Sequence, residues 1–203
     1  MIALFFEVKP KPDQVQRYLD MAAALKPRLE ANGGCLFIDR YKSCQRDGWL
    51  LSYQIWQDEA SMVRWRVNEH HHHAQTAGRT TVLDDYRLRI AQLVRDEIPG
   101  KPAWQPQRLN IYNDPARTAP RYCTMIESQL PIFDGRPLEF ESLYRPGEYA
   151  QLAGADSLAH ALDQSEQCRI SNSVRFRICE IERDYSMFDR AQAPTYYPPV
   201  PRH

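Results

Sequence analysis

The chain has 203 residues, 43% hydrophobic and 26% charged, and its 26 basic and 26 acidic side chains cancel. That balance is ordinary for one large globular domain or two small ones, and it leaves no basic footprint for nucleic acid or for an anionic membrane surface. The start, MIALFFEVKP, has only a short apolar run before Lys9, which supports neither a signal peptide nor a membrane span. Five scattered cysteines with no C-x-x-C pair suggest neither a disulfide scaffold nor a zinc cluster. Reduced thiols in a cytoplasmic protein are the expectation.

In chain order, residues 2–8 (IALFFEV) read as a strand. Asp13 can cap a helix in which Val15, Tyr18, Leu19, Ala22 and Leu29 recur at helical spacing. Pro27 should kink or shorten its last turn, and Gly33-Gly34 ends it. Residues 35–43 and 48–56 form two strands around a turn at 45–48. Asp58-Glu59 opens a second helix carrying Met62, Val63, Trp65 and Val67, with a run of four histidines, His70 to His73, at its end. Residues 86–95 (YRLRIAQLVR) alternate apolar and basic, the period of a strand with one buried face. The order strand-helix-strand-strand-helix-strand is that of the ferredoxin-like split unit.

A stretch rich in proline and asparagine follows (98–121), read as a surface linker. Beyond it the pattern partly returns: strands at 122–129, 138–144 and 148–153, a short helix at 156–165, and a last strand VRFRICEIERD at 174–184. Set against YRLRIAQLVRD (86–96), that strand repeats Arg, Arg, Ile, Arg and Asp at matching places. The expected fold is therefore α+β: two tandem ferredoxin-like units. The complete unit spans 1–97 and the degenerate one 122–190, with a proline-rich extended tail at 191–203. The second unit lacks the long first helix and has no counterpart of HHHHAQTAGR, which places a single site in the first unit.

A histidine run inside patterned sequence is not a purification tag. Successive helical residues diverge by about 100 degrees, so at most His70 and His73 share a face, and two imidazoles make a thin metal site. No specific metal is expected. The arginines at 87, 89, 175 and 177 lie opposite the apolar residues of their strands, where solvated or ion-paired roles outweigh an anion site.

Residues 2–97, with the stretches ALFFEVKPKPDQVQRYLDMAAALKPRLEANGG, LLSYQIWQDEA and DYRLRIAQLVRDE and the Trp65 helix with His71, Gln75, Gly78 and Arg79, resemble the antibiotic biosynthesis monooxygenase family. The resemblance implies a dimeric-type barrel, here fused in one chain, and a cofactor-independent monooxygenase acting with O2 on an aromatic or polyketide-like small molecule. A homodimer of the fused pair is a further expectation. Trp65 matches the family tryptophan and would wall the pocket, and His71, six residues later, would be base or orienter. Ser61 stands where characterised oxygenases carry asparagine, and Glu7 about where haem-degrading relatives do. Tyr53 and Tyr86 are candidate hydrogen-bond partners of a phenolic substrate. Two alternatives stay open: a haem-binding or haem-degrading protein that uses a histidine of the run, and a non-catalytic ligand-binding protein that keeps only the fold.

Overall fold

The computed structural model describes residues 1–105, 120–133, 135–168 and 174–194. The first unit runs β1 (Ile2–Pro10), α1 (Val15–Asn32), β2 (Cys35–Ser43), β3 (Leu50–Trp56), α2 (Glu59–Arg66), α3 (Glu69–Ala77) and β4 (Leu83–Glu97). The second runs β5 (Tyr122–Ser128), the hairpin strands β6 (Ile132–Phe133) and β7 (Arg136–Pro137), then β8 (Phe140–Ser142), β9 (Tyr149–Ala155), α4 (Leu158–Cys168) and β10 (Val174–Ser186). Eight strands close into one antiparallel barrel in the order β1-β3-β2-β8-β9-β5-β10-β4. Each unit contributes the same internal order: β4-β1-β3-β2 is matched by β10-β5-β9-β8. The units meet at two seams, β4 against β10 and β2 against β8, so the barrel is completed within one chain. No long helix separates the first two strands of the second unit; the small β6–β7 hairpin stands there. Most of the expected linker and tail, residues 106–119 and 195–203, lies outside the described residues.

Alternation along each strand divides the side chains between the barrel interior and an outer, helix-covered face. Ala3, Phe5, Leu51, Tyr53, Ala91, Leu93, Cys123, Met125, Phe140, Cys179 and Ile181 form the interior core. On the outer face of the first unit, Ile2, Trp56, Met62, Trp65, Leu29 and Ile90 pack together under α1 and α2. Phe176, Ile178 and Ala161 do the same under α4.

Three local expectations change. Asp13 caps nothing: a 3-10 turn at Pro12–Gln14 precedes α1, and the residue before α1, Gln14, makes no side-chain capping bond. Pro27 lies within α1, which continues to Asn32. Pro27 and Ala23, whose carbonyl loses its helical partner, are both exposed, so the freed carbonyl is not a buried unsatisfied group. The third change is a break at Val67-Asn68. Asn68 accepts from the backbone N–H of His70 (3.1 Å) and His71 (3.3 Å), capping a new helix, so the histidines begin α3 instead of ending α2.

At the end of α1, Gly34 has φ +79°, and a Cβ there would lie 2.4 Å from both Cβ and Oγ of Ser61. Gly34→Ala is expected to cost about 2 kcal/mol, from left-handed backbone strain and overpacking together. Urea denaturation checks this, and a loss below about 0.5 kcal/mol, the ordinary scatter of surface changes, would refute it.

Candidate active site

On the outer face of the first unit, α1 does not sit flat on the sheet. It leaves a cavity of about 230 Å³ between α1, α3 and strands β1, β3, β2 and β4. Leu4 and Phe6 of β1 and Leu88 and Ile90 of β4 form its floor, and Tyr18, Met21 and Leu25 of α1 its wall. These are the alternate outward residues of the strands (Leu4 pairs with Ile90 and Phe6 with Leu88), so strand period and helix period together dictate the lining.

One member of the histidine run enters the cavity. His70, His72 and His73 are exposed; His71 is turned inward by the cap that starts α3. Its ring stacks on the Trp65 indole with centroids 4.4 Å apart and planes 15° from parallel. Nδ1 lies 2.9 Å from the Trp65 carbonyl oxygen. A carbonyl can only accept, so Nδ1 carries the proton and Nε2 keeps a free lone pair. Gln75, one turn on, donates to the Arg66 carbonyl at 3.3 Å and packs against the same imidazole. Burial lowers the His71 pKa to about 4, with the neighbouring His72 adding to the effect against the Trp65 carbonyl bond. At neutral pH the ring is uncharged.

Trp65, His71 and Tyr86 thus share one cavity. Tyr53, Ser61 and Glu7, expected with them from the sequence, stand elsewhere. Tyr53 points into the barrel, stacked on Phe5 at 5.0 Å, and burial raises its pKa. The Ser61 hydroxyl donates to Asp58 at 2.7 Å at the start of α2 and accepts from Arg64. Glu7 faces the interior between Arg89 and Arg46; burial would raise its pKa, but the two guanidiniums hold it below the ordinary carboxylate value. The parity of β1 decides this placement: Leu4 and Phe6 face the cavity, so Glu7 between Phe6 and Val8 cannot.

Apart from Arg79, the cations of the cavity carry no sequence motif. Lys26, Arg40, Arg66, Arg79 and Arg190 line it, and among the described residues no Asp or Glu does. Arg79 belongs to a single π-helical turn, Gly78–Val82, which buries its side chain against the cavity. Tyr144, Tyr185 and Arg190 of the second unit and Pro194 of the tail complete the lining, with Tyr185 in the same apolar cluster as Tyr18 and Met21 of α1. Arg190 donates to the Tyr86 hydroxyl at 2.6 Å and to the Ser186 carbonyl at 3.1 Å, with its guanidinium 5.2 Å from the Tyr185 ring. Its place follows only from the β4–β10 seam. Among the described residues no group of three or more His, Cys, Asp or Glu is arranged to hold a metal. Because the other three histidines are exposed, a haem ligand from the run could only be His71.

The model of the antibiotic biosynthesis monooxygenase family matches residues 1–77. Among solved structures, a conserved protein from Methanosarcina mazei Go1 has a TM-score of 0.41 at 20% identity, covering 44% of this chain and 88% of that one. An antibiotic biosynthesis monooxygenase has a TM-score of 0.40 at 17% identity, with 44% and 95% covered. A protein of Pyricularia oryzae named jasmonate monooxygenase is 32% identical over 215 residues, spanning 98% of this chain and 100% of its own length. With likeness extending across both units, the chain belongs to the antibiotic biosynthesis monooxygenase family.

Proposed function

We propose that the chain oxidises a small, largely apolar molecule, aromatic or polyketide-like, with O2 in the cavity beside His71 and without a bound cofactor. The observation that carries this reading is the pairing of an apolar cavity in the complete unit with an uncharged imidazole stacked on Trp65. Trp65 fixes the plane of the ring, and the Trp65 carbonyl fixes its tautomer, so Nε2 is an acceptor of set position for a substrate O–H or activated C–H. Its lowered pKa makes it a better hydrogen-bond acceptor than proton store, and the cations of the cavity favour the substrate anion instead. Such an anion reduces O2 by one electron. Recombination forms a C–O bond, and loss of water from the hydroperoxide turns a CH2 into a carbonyl, so that one O2 gives one ketone and one water. The substrate supplies all four electrons. Apolar walls exclude bulk water from the intermediate.

Oxygen uptake in chelator-treated buffer, without flavin, haem or reductant, tests the reaction. Dihydroxyanthracene-type compounds are the first substrates, and jasmonate, for which the Pyricularia relative is named, the next. One O2 consumed per product is expected with at least one of them, and no uptake with either would sink the reading. The cytoplasmic location expected from the cysteines belongs to the same proposal. A homodimer of the fused pair would use surfaces outside the barrel, since both seams are closed within the chain, and light scattering reports it.

A further inference from the structure

The arginines that line this largely apolar cavity have a physical cost. A guanidinium withdrawn from water without a counter-charge is destabilising, and the site tolerates it only if something else gains. Arg66 and Arg190 show the imbalance most clearly. The Nε of each is buried with no hydrogen-bond partner, and among the described residues neither makes an ion pair. Arg190 is engaged on one side alone: its Nη1 serves Tyr86 and Ser186, while on its Nε–Nη2 edge the buried Nε has no hydrogen-bond partner. That edge is the parallel two-donor fork that matches a carboxylate. Burial raises the Tyr86 pKa, with Arg190 and Arg79 opposing. Tyr185, pushed up to about 12 by burial and by Tyr86, lies in the field of Arg190 and Arg66. The three arginines therefore stand around one tyrosine pair, whose Tyr86 ring lies 5.6 Å from Phe6 of the floor.

We propose that Arg190 and Arg66, with the Tyr86 hydroxyl, form a carboxylate-binding subsite, so that the substrate is an apolar monocarboxylic acid whose charged end is held partly by the second unit. The proposal rests on the reading of this cavity as the reaction site. It also explains what the degenerate unit contributes. Lacking a long first helix over its own sheet, that unit lends Arg190 to the first unit's site across the β4–β10 seam. The acid end fixes the substrate lengthwise, and the remaining carbon skeleton lies along the floor toward His71. Charge selection here comes from groups left unsatisfied when the wrong ligand binds, which discriminates more sharply than apolar fit.

The test uses the full chain with decanoate and its uncharged isostere decanamide, their dissociation constants measured by calorimetry. Decanoate is expected to bind at least about 10-fold more tightly, the value of one charge-assisted hydrogen bond. Arg190→Gln should bring the two constants together by weakening decanoate about 10-fold more than decanamide, and Arg66→Gln should act in the same direction. Arg183→Gln, which removes an ion pair with Glu59 outside the cavity, should keep the preference. Equal binding by the wild type, no binding of either ligand, or equal weakening of both in Arg190→Gln overturns the subsite; if that variant does not fold, Arg66→Gln decides. Oxygen uptake separates this from the parent reading. Acid-selective binding with no turnover of any acid tells against the monooxygenase proposal and leaves the subsite standing. Turnover of neutral compounds as fast as acids overturns the subsite and keeps the monooxygenase.

Discussion

Arg177→Ala should destabilise the barrel by about 3–5 kcal/mol, the range for removing one partner of a buried ion pair, and lower the melting temperature by roughly 10 °C for a chain of this size. Arg177 is 2% exposed, on the inward face of β10. Its guanidinium pairs with Glu127, approaches Asp96 at 3.4 Å, and lies over the rings of Tyr53 and Phe37 at 5.5 and 5.8 Å. Among the described residues, truncation leaves Glu127 with only the more distant guanidinium of Arg145 (3.8 Å) and Asp96 with only that of Arg175, and it opens a void beside both rings. Burial would raise the Asp96 pKa, but Arg175 and Arg177 hold it below the ordinary value. A group so depressed contributes stability above its unfolded pKa of about 3.9 and loses it as the pH falls through the folded value. The Arg177→Ala deficit should therefore shrink in acid. Arg177→Met combined with Glu127→Leu should recover most of the loss, because it removes both charges rather than one. Urea melts of the variants decide, and a deficit below about 1 kcal/mol, the value of an exposed pair, would show that the interior charges are solvated.

The same interior network explains what the repeated arginines of the sequence are for. Arg89 with Glu7 in the first unit is mirrored by Arg177 with Glu127 in the second, and Arg87 with Asp184 by Arg175 with Asp96. The turn arginines follow the same rule: Arg46 joins Glu7 to Glu139, and Arg145 joins Glu127 to Asp39. Four of these links cross from one unit to the other. The residues that betrayed the repeat (Arg, Arg and Asp at like places in the two last strands) are thus the charges that join its halves. Strand alternation alone left solvated and ion-paired roles open for them. Only closure of two sheets into a barrel turns that face inward, and closure is a property of the pair of units that no single strand carries.

Legibility of the site followed the same division. Trp65 and His71 come from the family resemblance and Tyr86 from its strand, all within one continuous unit, and the structure brings the three to one cavity. The parity of β1 was also legible in principle, since Leu4 and Phe6 alternate with Glu7, but family analogy had drawn Glu7 into the site against it. Arg66, in the last turn of α2, has nothing in its sequence context to single it out. Arg190 had no signal: it follows β10 in an irregular segment, 104 positions from the tyrosine it touches. Asn68 was a readable cap, as polar residues before a helix often are, but the four histidines beside it drew the helix through.

His71→Gln should lower kcat/KM by about 10²-fold or more on the substrate found by oxygen uptake, the usual worth of a positioned acid–base or hydrogen-bonding group, with His71→Ala at least as impaired. The pH profile distinguishes its role. With a pKa of about 4 in the free enzyme, the imidazole stays uncharged down to about pH 5, and its acidic limb should fall near 4 instead of near the ordinary 6.5. Arg66, Arg79 and Arg190, which share the cavity, oppose a further positive charge there, whereas a bound anion would raise the limb in kcat relative to kcat/KM. Stability carries the same signature. The unfolded chain binds the His71 proton near 6.5 and the folded chain only near 4, so between those values the unfolded state holds more protons and stability drops as the pH falls. The full effect is about 3 kcal/mol, and His71→Gln should abolish it. Histidine side-chain NMR reads the pKa directly: one of the 6 imidazoles should titrate near 4 and vanish in the variant. A His71 that titrates near 6.5, or a His71→Gln enzyme with undiminished kcat/KM, would remove the imidazole from the reaction and leave the cavity's arginines to form the substrate anion alone.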